Sequence, residues 1–128
     1  MRTIYLLPFF LILACLVVGC GQAYQMDYGK PAAQFLQEDV ARKGKGWVGK
    51  KITVKGTVTR IEGEDPESAW IHLGKGIRCN FGKFKAMAES AKVGETVYVD
   101  GFLRRCGEGD VLIEPAMLRD SKAPFSPE

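Results

Sequence analysis

Apolar and polar residues alternate over Val48-Gly49-Lys50-Lys51-Ile52-Thr53-Val54-Lys55-Gly56-Thr57-Val58. This predicts a strand with Ile52, Val54 and Val58 on one face and Lys51, Thr53, Lys55, Thr57 and Thr59 on the other. The phrase returns at Val93-Gly94-Glu95-Thr96-Val97-Tyr98-Val99-Asp100-Gly101-Phe102-Leu103. Two copies are too few for a solenoid, whose units need at least two neighbours to bury a core. Gly56 falls where a strand side chain is expected, a position that marks a bulge or bend. Residues 69–73 and 77–81 predict two strands joined at Gly74-Lys75-Gly76, and residues 111–118 a last strand made irregular by Pro115. Two stretches have helical spacing. Residues 31–43 begin at Pro31, carry Ala32, Phe35, Leu36 and Val40 on one side, and stop at Gly44. Residues 83–92 align Phe84, Met87, Ala88 and Ala91 and stop at Gly94.

The expected order is therefore a helix, three strands, a second helix and two strands. A helix between the third and fourth strands of a five-stranded antiparallel set is the oligonucleotide/oligosaccharide-binding (OB) arrangement. The fold class expected is mainly β: a five-stranded OB barrel with an additional N-terminal helix. In such a barrel the first and fourth strands lie side by side, so the repeated phrase describes two neighbours meeting one geometric demand.

Residues 28–120 resemble the bacterial tRNA-anticodon-binding-like OB family, many of whose members are small secreted or lipid-anchored proteins. The residues that carry the resemblance are the preceding helix, Gly49 to Val58, Ile77-Arg78-Cys79-Asn80-Phe81, and Gly94 to Gly101. The family often has a second cysteine in its final strand, whereas Cys106 here falls before it. The resemblance implies a binding fold and brings no catalytic residues.

A length of 128 residues with 46% apolar and 26% charged side chains fits one globular domain. The formal charge of +3 falls by one without residues 1–19, where Arg2 is the single basic side chain. That balance does not by itself point to a polyanion.

Residues 1–19 read as an export signal: Arg2, an apolar run from Ile4 to Val18, then small residues. Leu16-Val17-Val18-Gly19-Cys20 resembles the bacterial lipobox, which implies a diacylglycerol thioether on Cys20 and an acylated new N-terminus. Two or three acyl chains hold a protein stably at a membrane, at about 0.8 kcal/mol per buried CH₂. Lipidation at Cys15 would instead leave Leu16 to Val18 exposed. An uncleaved span and ordinary cleavage after Ala23 are the competing readings, and the run falls short of the roughly 20 residues a span needs. The expected division is 1–19 signal, 20–29 lipidated tether, 30–120 OB domain and 121–128 flexible tail. The expected location is the cell envelope, with Gly21 after the cysteine directing the protein to the outer membrane, facing the periplasm, in a Gram-negative cell.

Outside the cytoplasm the remaining thiols, Cys79 and Cys106, are candidates for a disulfide, against the alternative of two separate buried thiols. Alternation sends Ala69, Ile71, Leu73, Ile77, Cys79 and Phe81 inward and puts Trp70, His72, Arg78 and Asn80 on the outer face. An aromatic ring beside a guanidinium and an amide can stack a base or a sugar, whereas an ordinary half-exposed sheet face has no such role. The acidic stretch Glu62, Glu64, Asp65 and Glu67 repels phosphate where OB loops commonly grip it, which disfavours nucleic acid. Its spacing also fails the calcium-loop pattern. Arg42, Lys43, Lys45, Lys50 and Lys51, with Trp47 among them, form a basic run that is either a solvated helix end or a surface for anionic lipid. His72 has no evident nucleophile partner, and no Walker, zinc or dinucleotide motif occurs. The expectation is a non-enzymatic, cofactor-free envelope module that binds a protein or glycan, with an extracytoplasmic single-stranded nucleic-acid binder as the alternative.

Overall fold

The two copies of the repeated phrase pair with each other in the computed structural model, which describes residues 30–128. The signal at 1–19, Cys20 and the tether at 20–29 lie outside the described residues. Strand β2 (Lys51–Glu62) meets β5 (Thr96–Gly107) antiparallel, from Lys51↔Phe102 to Thr57↔Thr96. Each copy opens on a glycine in the left-handed region, with φ of 88° at Gly49 and 90° at Gly94. Gly49 N–H donates to Leu103 O at 2.7 Å and Gly94 N–H to Val58 O at 2.8 Å. The first residue pair of each copy thus closes on the last residue of the other. This local two-fold explains the repeat.

Strands β3 (Ala69–Leu73), β4 (Ile77–Gly82) and β6 (Asp110–Arg119) complete a closed barrel in the order β2-β3-β4-β6-β5, with β4 and β6 parallel. The fold is mainly β, a closed five-stranded OB-like barrel. Ala69, Ile71, Leu73, Ile77, Cys79 and Phe81 all point inward as alternation predicts, and join Ile52, Val54, Val99, Leu103 and Ile113 in the core. The β5–β6 register shifts between Gly101 and Leu103, opposite Pro115, so the last strand is irregular where proline denies it a donor.

The expected N-terminal helix divides into a four-residue strand and a single four-residue helical turn. Ala33–Leu36 forms β1, parallel to the first half of β2 with Ala33↔Ile52 and Leu36↔Lys55. Helix α1 is only Val40–Lys43, followed by a 3₁₀ turn at Lys45–Trp47. The reason is backbone demand: β3 pairs with β2 only from Val58 onward, so residues 52–55 would otherwise present an unpaired edge. Helix preferences of a few tenths of a kcal/mol per residue do not outweigh those ladder bonds. The second expected helix exists but is shorter, α2 at Lys85–Glu89, with Ala88 buried.

Gly56 is not at a bulge, which lies between Val58 and Arg60. A Cβ on Gly56 would sit 2.7 Å from Gln37 Oε1. Gln37 follows β1, and that oxygen accepts Thr57 N–H at 2.9 Å and Gly74 N–H at 3.2 Å, bridging β2 to the β3–β4 turn. The glycine makes room for an acceptor.

The segment expected to be a flexible tail, 121–128, is instead tied down. Ser126 N–H donates to Gln34 Oε1 at 2.7 Å, Glu128 N–H to Gln34 O at 2.8 Å, and Phe125 stands edge-on to Tyr98. Below it Asp100, 8% exposed, accepts from Thr53 Oγ1 at 2.5 Å and from Arg119 Nη1 at 3.0 Å. The barrel has two unlike ends. At its base are the start of β2, α1, the 3₁₀ turn and the β5–β6 turn; at its apex are the acidic stretch 62–67 and α2.

Candidate functional site

Pairing of β3 with β4 sets Trp70 opposite Asn80 and His72 opposite Arg78, so the four predicted residues form one block on the outer face. The Arg78 guanidinium carbon lies 6.0 Å from the Trp70 ring centroid, and the Trp70 and His72 rings are 6.5 Å apart, tilted by 32°. All four are half-buried. Helix α1 packs at the base, chiefly against β1, β5 and β6.

Three of the four side chains are held by hydrogen bonds. Trp70 Nε1–H donates to Ser68 Oγ at 3.0 Å. Asn80 Nδ2–H donates to Glu114 Oε2 at 2.6 Å while its Oδ1 accepts Gly82 N–H at 2.8 Å, which fixes the amide's orientation. Arg78 Nη2 donates to Asp110 Oδ1 at 3.3 Å, and Arg105 Nη2 takes Asp110 Oδ2 at 2.6 Å. Because β4 and β6 are parallel, with Arg78 beside Leu112, Asp110 and Glu114 come alongside Arg78 and Asn80. These braces have no local sequence signal, since they depend on a pairing between segments some thirty residues apart.

His72 differs from the rest. Its Nε2 is buried with no hydrogen-bond partner among the described residues, 3.5 Å from Glu62 Oε2, at the limit of a useful bond. Burial, then the positive charges of Arg60 and Arg78, push the imidazole pKa below its usual value. At neutral pH the ring is therefore uncharged, and its contact with Glu62 is dipolar rather than an ion pair. Glu62 takes its ion pair from Arg60 instead. The face as a whole alternates in sign: cations at Arg60, Arg78 and Arg105, and carboxylates at Glu62, Asp110 and Glu114.

Cys79 and Cys106 are not joined, and the expected disulfide is absent. Cys79 is in the barrel core beside Ile113, and burial raises its pKa far above the usual thiol range. Cys106 Sγ lies at the base, 3.2 Å from Val40 O; burial, then Glu108, raise its pKa, with Lys45 opposing. Alternation sends Cys79 inward, while the irregular β5 turns Cys106 toward α1.

In the acidic stretch Asp65 Oδ1 accepts Glu67 N–H at 2.9 Å, an internal turn bond. Among the described residues no three His, Cys, Asp or Glu side chains converge as a metal site would require. A groove of about 590 Å³ lies away from the aromatic block, between β1 and the tail, lined by Lys30, Gln34, Arg119 and Glu128 among others. Gln34 and Arg119 already serve the tail there, donating to Pro124 O at 3.3 Å each.

No protein-family profile matches the chain, and no curated protein matches it. Solved structures do. One is a lipoprotein from Klebsiella pneumoniae, provisionally described as nucleic acid-binding, with a TM-score of 0.45 and 14% identity over 65% of this chain and 81% of that one. Another is a provisionally assigned aspartyl-tRNA synthetase from Leishmania major, with a TM-score of 0.48 and 12% identity over 73% of this chain. The chain spans only 22% of that protein. Neither likeness brings the other protein's ligand to this chain.

Proposed function

We propose that this chain is a non-enzymatic binding module, held in the cell envelope by lipid on Cys20, that takes an envelope glycan across the outer face of β3 and β4. The observation that carries the reading is the open Trp70 ring flanked by Arg78, His72 and Asn80. A flat ring offers a sugar its apolar face, and the braced amide and guanidinium beside it offer hydroxyl-binding groups in fixed positions. Neighbouring carboxylates balance the arginines, which suits a hydroxyl-rich ligand better than a row of phosphates. The anchor is supported by the lipobox-like sequence ending at Cys20.

The second reading, a single-stranded nucleic acid outside the cytoplasm, is favoured by the same ring and guanidinium, which can stack a base. The exposed carboxylates of Glu64, Asp65 and Glu67 at the apex oppose it.

Titration of solubilised cell-wall glycan fragments and of an oligothymidylate, each at low salt, against wild type and Trp70→Ala separates the two. Glycan binding weakened roughly tenfold in the variant, about 1.4 kcal/mol, is expected. Glycan binding that is undetectable or indifferent to Trp70 overturns the first reading, and Trp70-dependent, salt-sensitive oligonucleotide binding moves the assignment to the second. Loss of membrane attachment and lipid labelling in Cys20→Ala is the outcome the anchor requires.

A further inference from the structure

We infer that the base of the barrel is a membrane-contacting surface that lies against anionic phospholipid head groups, setting the orientation of the anchored protein. The basic run from Arg42 to Lys50 is not scattered by folding. Arg42, Lys43, Lys45 and Lys50 are exposed on α1, the 3₁₀ turn and the loop that follows it, and Lys75 and Arg104 are exposed on the adjoining turn and strand. Gly49 N–H to Leu103 O, and Leu103 N–H to Lys50 O, fix the Lys50 loop to β5 immediately before Arg104. Gly76 abuts Gly109, which brings the Lys75 turn to the same end.

The acids at the base offset part of this charge: Asp39 is shared by Arg42 and Lys43, Asp110 by Arg78 and Arg105, Glu108 is exposed, and Glu128 is brought to this end by Lys43 Nζ, which donates to its carbonyl O at 3.1 Å. Lys45, Lys50, Lys75 and Arg104 form no ion pair among the described residues. Apolar surface is interleaved with the cations: Val48 is 48% exposed, and the half-buried Trp47 ring lies beneath the Lys50 ammonium at 5.6 Å. Tryptophan and lysine together are the side chains that favour a membrane–water interface. Clustered lysines and arginines gain further from an anionic leaflet, within a Debye length of its surface.

The path of the chain points the same way. Because β1 is parallel to β2, the chain reaches the barrel at its base, with Ala32 N–H on Lys51 O at 2.8 Å. Ten residues separate Cys20 from Lys30, a reach of at most about 35 Å even when fully extended. The tether therefore joins the fold at the basic end, while the acidic stretch 62–67 occupies the far end. The Trp70 face is left on the flank, between the two.

This inference rests on the lipid anchor proposed at Cys20, and its test keeps the two apart. The chain has two tryptophans, so Trp70→Phe makes Trp47 the sole emitter. The mature lipidated protein is bound to vesicles with brominated acyl chains, made of phosphatidylcholine alone or mixed with phosphatidylglycerol. Flotation reports the anchor and bromine quenching of Trp47 reports the contact. The expected result is flotation with both vesicles, but strong quenching only with the anionic mixture, lost in high salt and in Lys45→Gln/Lys50→Gln. Flotation without quenching in the mixture, or equal quenching in both vesicles, overturns the inference and leaves the anchor standing. Failure to float on either vesicle overturns both. An unchanged urea-unfolding midpoint of the double variant without vesicles shows that its fold is intact.

Discussion

Gln37 and Gly56 are predicted to act as one unit. Gln37→Ala removes the acceptor of Thr57 N–H and Gly74 N–H. At about 1 kcal/mol for each bond to a partly buried backbone donor, the loss is about 2 kcal/mol. Gly56→Ala reaches the same end from the other side, because its Cβ would stand 2.7 Å from Gln37 Oε1 and must displace it. The reduced freedom of the unfolded chain returns about 0.4–1 kcal/mol, so the net cost is about 1–1.5 kcal/mol. In the double variant there is no Gln37 side chain left to displace, and the total stays near 2 kcal/mol or below, against more than 3 for independent sites. Urea unfolding followed by tryptophan fluorescence measures all four corners of this cycle. On heating, each kcal/mol corresponds to roughly 4–8 °C in a domain of this size. Costs that add to within about 0.5 kcal/mol refute the reasoning, because Gly56 would then be needed for its close approach to Leu73 Cδ1, 3.0 Å from the Cβ position, and not for Gln37.

Asp100→Ala is expected to cost about 3 kcal/mol by leaving Arg119, itself 15% exposed, without its buried carboxylate; denaturant unfolding measures it, and Thr53→Val should cost clearly less. His72 binds its proton more weakly in the folded chain than in the unfolded one, so its contribution to stability is complete above about pH 6.5 and lost as the pH falls through the lowered folded value. Titration of the imidazole by NMR should give a midpoint below 6.5, and His72→Gln should remove this part of the acid sensitivity. Cys106 should be alkylated slowly in the native protein and Cys79 only after unfolding, with both found as thiols by mass mapping under non-reducing conditions.

The barrel is legible in the sequence because its cues are local. Alternation over Ala69–Leu73 gives both faces of β3, and Gly94, expected to stop a helix, is built with positive φ. The features that escape are set by distant segments. Phe35 fits both the helical spacing of Ala32, Phe35, Leu36 and Val40 and the strand alternation of Ala33 and Phe35, and the choice is made by the open edge of β2 nineteen residues on. The role of Gly56 depends on Gln37, which no nearby residue announces. In the candidate site the quartet follows from alternation alone, whereas Asp110 and Glu114 join it through the parallel β4–β6 pairing. Apolar spacing likewise offers no sign that Gln34 and Tyr98 hold the final segment.

That final segment changes how safely the molecule can be crowded. A closed barrel has no free sheet edge, but adding β1 to its outside creates one, since among the described residues β1 has a ladder partner on one side only. Unpaired strand edges are templates for joining other chains, and the hazard grows when molecules are confined to two dimensions with their barrels side by side. Residues 124–128 run over β1 with Pro124 and Pro127, which lack amide protons, and engage it through Gln34. The extra strand is thereby covered by a segment that is poorly suited to extending a sheet, which lets the barrel carry a sixth strand without recruiting its neighbours.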